Sequence, residues 1–200
     1  MTNVAKTIAQ AIAGDEAAQC RLYETYYAAA FRLAYLMLQN ECDAEEVVQD
    51  TFVYLFRSLH HYDAERGSFW AWLRVALVSR CRNKRRRRQF ALVSLERLEA
   101  AGRGLSDARK ATNPAAVLEG QGVRQAIWEA LQRVTPGARD ALILRYYGGL
   151  SYAEIAEVLG CSRDAARSRV SHGKVQLRAL LTAPDRDVVG EDLAWLANAR

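Results

Sequence analysis

Seven of the nine residues at positions 80–88 are Lys or Arg, interrupted only by Cys81 and Asn83. The chemistry open to such a block is neutralisation of phosphates, because each phosphate that meets a fixed cation releases condensed counterions. A basic run on a disordered terminus is usually only solvated, but this one has an apolar root. Phe69, Trp72, Leu73, Ala76 and Leu77 recur three and four apart, which predicts one buried face of a helix. Ser68 stands where an N-cap would accept an orphan backbone N–H. The nearest acids before the run are Asp63 and Glu65, so the block reads as un-neutralised. A rigid helix holding out a cationic end favours nucleic-acid contact over a solvated tail.

Residues 151–181 carry a second nucleic-acid signal. Ser151 with Glu154 forms the pattern of a capping box, and Ala153, Ile155, Ala156 and Leu159 suit a short helix. Gly160 supplies a tight turn and Ser162 a second cap. On the second helix Ala166, Val170, Leu177 and Leu181 share one face, and Arg163, Arg167, Ser171, Lys174 and Arg178 share the other. Two helices across a short glycine turn, the second basic on its free side, form a helix-turn-helix pattern.

A third surface has the opposite charge. Asp43 with Glu46 reads as a capping box that opens a helix, and both Glu45 and Glu46 suit its positive end. Val48, Phe52, Leu55 and Leu59 would face a core, leaving Glu45, Glu46, Gln49, Asp50 and Val53 outside. That face is either plain solvated surface or a dock for a basic partner, and composition alone does not choose.

The remaining stretches supply the supporting elements. Residues 1–16 show no strong pattern. A helix from Ala18 carries Ala18, Leu22, Tyr26, Ala29, Leu33 and Leu36 on one face and ends near Asn40. Residues 60–67, HHYDAERG, form a polar connector; its two histidines lack the companions a metal site needs. Residues 89–113 lose periodicity and read as a linker, with room for a short helix around Leu95 to Leu98. Asn113-Pro114 reads as cap and first helical position, Val123, Ile127, Leu131 and Val134 as inward, and Thr135-Pro136 as a further helix start closed by Gly148-Gly149.

The 200 residues allow one large domain or two small ones, and half are apolar. The net charge of +5 hides a gradient, with 4 basic and 8 acidic side chains in residues 1–59 against 9 and 2 in residues 60–90. This gradient suggests two surfaces for nucleic acid and one for something else. Cys20, Cys42, Cys81 and Cys161 are scattered, which argues for reduced, mostly packed thiols in a cytosolic protein and against zinc or disulfides. Asp15 and Glu16 cut short the mildly apolar start, and Arg32 breaks the longest apolar run, so neither a signal peptide nor a membrane span is expected. No nucleophile with its base, P-loop or metal cluster is present in the pattern, and no enzymatic role, metal or cofactor is expected.

CDAEEVVQDTFVYLFRSL, GSFWAWLRVALVSRCRNKRRRR and LILRYYGGLSYAEIAEVLGCSRDAARSRV together resemble, in order, three motifs of bacterial sigma factors of the extracytoplasmic-function type. The resemblance covers about residues 18–88 and 114–181. It implies an all-α fold of two small helical domains, a region 2-like bundle (18–88) and a region 4-like helix-turn-helix (114–181). A segment 1–17 precedes them, a flexible linker (89–113) joins them, and a short tail (182–200) follows.

The resemblance further implies a cytoplasmic specificity subunit of RNA polymerase with core polymerase and promoter DNA as partners. An anti-sigma factor is a family expectation that no residue here demonstrates. Glu45, Glu46, Gln49, Asp50 and Val53 would dock on the polymerase. Tyr62, Asp63, Ser68, Trp70, Arg74, Arg80, Asn83, Lys84, Arg85, Arg86, Arg87 and Arg88 would serve the minus-ten element. Ser162, Arg163, Arg167, Ser168, Arg169, Ser171, Lys174 and Arg178 would serve the minus-thirty-five element. The linker would thread toward the polymerase active centre. Departures from the family pattern at Ser79, Asn83 and residues 164–169 bear on which promoter is read. The rival readings are a stand-alone helix-turn-helix regulator, which leaves the acidic and aromatic-basic helices without a task, and a helical adaptor, which the uneven charge disfavours.

Overall fold

In a computed structural model the chain is described at residues 2–99 and 123–181, with side chains at 4–90 and 126–181, and every regular element there is helical. The chain divides into two compact units, Met1–Thr112 and Asn113–Arg200.

The N-terminal unit contains α1 (Thr2–Ile12), α2 (Glu16–Leu38), α3 (Glu41–Arg57), a single 3-10 turn (Leu59–His61) and α4 (Phe69–Glu99). Helix α2 packs against α1, α3 and α4, and α3 packs against α4. The apolar periodicity explains the core: Leu22, Leu33, Met37, Phe52, Leu55, Leu59, Phe69, Leu73 and Leu77 are all fully buried. Trp72 and Ala76, predicted on the same face of α4, lie at its half-buried edge.

Residues 1–16, without a strong sequence pattern, contain α1: Val4, Ile8 and Ala11 stand at helical spacing, and Ile8 and Ala11 are buried. Asp15 caps α2 by accepting the Ala18 N–H. Gln39 then adopts a left-handed φ of 55° that ends α2, and its N–H donates to the Tyr35 carbonyl. Asp43 is not the cap of the following helix. Asn40 is, because its extended backbone lets its side chain accept the Asp43 N–H at 2.9 Å. The side chain of Asp43, freed from capping, has another role described below.

Two further corrections concern boundaries and thiols. Helix α4 runs on to Glu99, where the sequence placed a linker from residue 89. Eight of the eleven residues at 89–99 are Arg, Gln, Leu, Ala or Glu, which are strong helix formers, and no Gly or Pro interrupts them. The rest of that linker, the Asn113-Pro114 cap and the tail lie outside the described residues. Of the four free cysteines only Cys81 is buried; Cys20 and Cys42 are exposed and Cys161 half-buried.

The C-terminal unit contains α5 (Val123–Arg133), α6 (Pro136–Tyr146), α7 (Tyr152–Leu159) and α8 (Arg163–Leu180). Helix α8 lies against α5, α6 and α7. The Ser151–Glu154 capping box is complete in both directions. Gly160 takes the left-handed turn at φ 61°, and Ser162 caps α8 by accepting the Ala165 N–H at 3.1 Å. Ala166, Val170, Leu177 and Leu181 are buried as their spacing predicts. Ala153 is exposed, and the buried residues of α7 are Ile155, Ala156 and Leu159. Gly173 lets α8 approach α6 closely: a Cβ there would fall 2.7 Å from Leu142 Cγ and 3.1 Å from the Ala138 carbonyl oxygen.

Candidate nucleic-acid interface

Helix α4 begins as the sequence suggests, with the Ser68 hydroxyl accepting the Ala71 N–H at 3.2 Å. The connector before it is shaped by aromatic packing. The Tyr62 hydroxyl donates to the Gly67 carbonyl at 3.0 Å, and the Tyr62 ring meets Phe69 and Trp72 at 5.9 and 5.6 Å. This closes residues 62–67 into a loop over an aromatic floor. Gly67 holds a φ of 153° at the loop's end. Asp63 turns the loop by accepting the Glu65 N–H at 2.9 Å and pairs with Arg66 in the open, where such pairs contribute little. Trp70 stands half-buried and parallel to Tyr26 of α2, with ring centroids 6.3 Å apart and 8° between planes. Burial, and secondarily the neighbouring phenol of Tyr62, pushes the Tyr26 phenol above its ordinary range; burial and Asp63 do the same to Tyr62.

The cations of α4 fall into two groups. Arg86, Arg87 and Arg88 are exposed, as is the neutral Asn83 among them, and Arg74, Arg80, Arg82, Lys84 and Arg85 are half-buried. Arg80 lies 4.5 Å from the centre of the Tyr54 ring on α3, a cation–π contact that holds the guanidinium to that helix. The expectation that nothing acidic neutralises the run is overturned by tertiary structure. The Lys84 ammonium donates to Glu46 at 2.6 Å and lies 3.5 Å from Asp43; Arg88 donates to Asp43 at 3.1 Å. The hydrogen bond to Glu46 raises the Lys84 ammonium above its ordinary range against the opposing cost of burial. These partners are distant in sequence, and antiparallel packing of α3 on α4 brings them together.

On α3 itself Glu45, Glu46, Gln49, Asp50 and Val53 are all exposed. Val53 is 50% exposed and Tyr54 47%, both high for large apolar side chains. Tyr54 was not singled out from the sequence, though it adjoins Val53 on the same exposed side. Tyr26 and Asp43 were not assigned either. Tyr26 read as a core position, and Asp43 read as a cap.

Helix α8 presents Ser162, Arg163, Arg167, Ser168, Ser171 and Arg178 to solvent, with Arg169 half-buried. Lys174 is less free, because its ammonium sits 5.1 Å from the centre of the Tyr146 ring. Gln176 accepts from both the backbone N–H and the hydroxyl of Thr135, at 3.0 and 3.2 Å, which ties α8 to the start of α6. Thr135 makes no cap bond with its own side chain, so Gln176 satisfies a donor there instead. Together these contacts fix the angle at which α8 offers its arginines. Among the described residues no group of His, Cys, Asp and Glu is arranged to hold a metal ion, and no helix is long and apolar enough to cross a membrane.

Comparison with known proteins gives this geometry its context. The sigma-70 region 2 family model matches residues 22–91, and the sigma-70, region 4 model matches residues 124–177. The chain is 31% identical over 176 residues to the ECF RNA polymerase sigma factor SigE of Mycolicibacterium smegmatis, covering 84% of this chain and 64% of that protein. It is also 31% identical over 180 residues to the RNA polymerase sigma factor CnrH of Cupriavidus metallidurans, covering 88% of this chain and 92% of that protein. The solved structure of CnrH in complex with the cytosolic domain of CnrY matches with a TM-score of 0.56 at 28% identity, over 87% of this chain and 94% of that one. With both regions matched in order and a 31% identical relative covered almost end to end, the chain belongs to the RNA polymerase sigma factors of the extracytoplasmic-function type.

Proposed function

We propose that this chain binds core RNA polymerase in the cytoplasm and directs it to promoters through three surfaces, leaving the bond chemistry to the polymerase. The exposed acidic face of α3 docks on the polymerase. The loop 62–68 and α4 take the minus-ten element, and α8 reads the minus-thirty-five element as duplex. The observation that carries this reading is the loop over the aromatic floor of Tyr62, Phe69 and Trp72, leading directly into a helix with exposed arginines. Promoter opening requires a base to leave the stack and be held beside a phosphate-binding surface, and this loop and helix offer both. A protein regulator is a further partner of this proposal, supported by the complex that CnrH forms with CnrY.

Run-off transcription with core enzyme on a genomic fragment library tests the proposal. Transcripts should start at discrete promoters only when the chain is present. Sequence-specific DNA binding without any polymerase-dependent transcripts would identify a stand-alone regulator instead.

Two variants test the DNA surfaces. Arg86→Ala with Arg87→Ala removes exposed cations that carry no base information. Promoter-complex formation should weaken about equally on all promoters, and the salt slope should fall by roughly one unit per lost contact. An unchanged slope would mean that these arginines are only solvated. Arg167 is exposed in the N-terminal half of α8, where recognition helices reach base edges. Arg167→Ala should relax preference at one or two upstream positions by about 1–3 kcal/mol. Uniform loss across all upstream sequences would reassign Arg167 to phosphate.

A further inference from the structure

The acidic face of α3 and the basic run of α4 are not independent surfaces. Asp43 touches two cations of the run, and Glu46 touches one of them. The Lys84 and Asp43 side chains are only 26% and 21% exposed, so the centre of this network is shielded from much of the screening that weakens surface pairs. The four charges cancel. A phosphate that takes Lys84 must displace a carboxylate and leave it without its cation. The counterion release from the nucleic acid is then set against a carboxylate left uncompensated beside the phosphate, so little net gain remains.

From this geometry we infer that Asp43 and Glu46 form an electrostatic latch that withholds Lys84 and Arg88 from DNA in the free protein, and that docking at Glu46 loosens its hold on Lys84. The inference rests on the reading above, in which the run binds DNA and the α3 face docks on polymerase. Glu46 lies on that docking face and is mostly exposed, with 58% of its side chain open. A cation of the partner that pairs with Glu46 removes the shorter of the two Lys84 contacts. The released ammonium then becomes available to phosphate. Tight DNA contact is thereby reserved for the polymerase-bound protein, because the same carboxylate serves both the latch and the dock.

The test uses the full chain and a labelled oligothymidylate, titrated over about 50–200 mM salt, with helicity followed by circular dichroism. The salt slope for a single strand grows by about 0.7 per cation engaged. Asp43→Asn with Glu46→Gln should steepen the slope by up to about 1.4, one increment for each released cation. Glu46→Gln alone, which leaves the first turn of α3 intact, should give part of that change. Lys84→Ala should leave the slope of the otherwise unaltered protein unchanged. In the Asp43→Asn, Glu46→Gln background it should remove about 0.7, which separates release of this lysine from a general change in charge. With core polymerase bound, Lys84→Ala should again reduce the slope of promoter binding.

The latch is overturned if Lys84→Ala flattens the slope equally in both backgrounds, because Lys84 would then reach phosphate unaided. It is also overturned if the carboxamide variants bind as the unaltered protein does. A slope unaffected by Arg86→Ala with Arg87→Ala would remove the basic run from the DNA surface altogether. That outcome rejects the underlying reading as well as the latch, whereas the first two reject the latch alone.

Discussion

Asp50→Lys combined with Glu45→Lys should abolish binding of core polymerase, and transcription with it, while α3 stays folded. Both side chains are exposed on α3, and neither has a part in the Lys84 network. Reversing an exposed charge of this kind alters stability by only about half a kcal/mol. At an interface the arithmetic differs. An acidic face meets a basic partner, and placing like charges together costs several kcal/mol. Each ~1.4 kcal/mol is a factor of ten, so the affinity should fall by about a hundredfold or more. Glu46 is left out of this variant deliberately, because its reversal would set a lysine against Lys84 and mix loss of docking with damage to the fold. Circular dichroism checks the helices, and titration with core enzyme reads the affinity. A folded double variant with unaltered polymerase affinity would remove this face from the docking surface.

The elements in these arguments were legible in the sequence to different degrees, for physical reasons. The buried faces of α3 and α8 followed from spacing because period 3.6 is a local property of the chain. The Ser151 capping box, the Gly160 turn and the Ser162 cap were equally local, each needing only residues within one turn. Helix α1 is less legible because half of its six apolar residues are alanines, although Val4, Ile8 and Ala11 stand at helical spacing. The extent of α4 is less legible because periodicity fades after residue 88, while good helix formers, which fill most of 89–99, continue a helix without a periodic apolar face.

The site shows the same division more sharply. That residues 80–88 are cationic is a statement about composition, but whether their charge is free is a statement about tertiary structure. Asp43 pairs with Arg88 across 45 positions and lies near Lys84, whose partner Glu46 is 38 positions away. No local pattern marks such a pair. The D-x-x-E pattern masks it further, since it assigns the Asp43 side chain to its own backbone. Tyr26 beneath Trp70 and Gln176 bound to Thr135 were hidden in the same way. In each case one residue's role depends on an element far away in the chain.

Gly173 provides the other large expected effect, and it reaches function through packing alone. A glycine inside a helix ordinarily destabilises it, and replacement by Ala should gain about 1 kcal/mol in propensity. Here the gain should be outweighed. The new Cβ would sit 2.7 Å from Leu142 Cγ, 2.8 Å from Leu142 Cδ1 and 3.1 Å from the Ala138 carbonyl oxygen. The leucine can swing aside only within a packed core, and the carbonyl is backbone. Overpacking of this kind costs about 1–3 kcal/mol, and Gly173→Val, which adds two further carbons, should lie at the upper end. Helix α8 must then withdraw from α6, straining the Gln176–Thr135 contacts that set its angle. Hydrogen exchange of the α6 and α8 amides reads this unit separately from α1–α4. Protection should fall in Gly173→Val, and binding to minus-thirty-five duplex should weaken while the α1–α4 amides keep their protection. Leu142→Ala alone should cost about 2–5 kcal/mol by opening a cavity. Combined with Gly173→Ala it should cost less than the sum, by about 0.5 kcal/mol or more, since each change makes room for or fills the other. Full protection and unaltered DNA binding in Gly173→Val would show that α6 and α8 do not depend on this glycine for their approach.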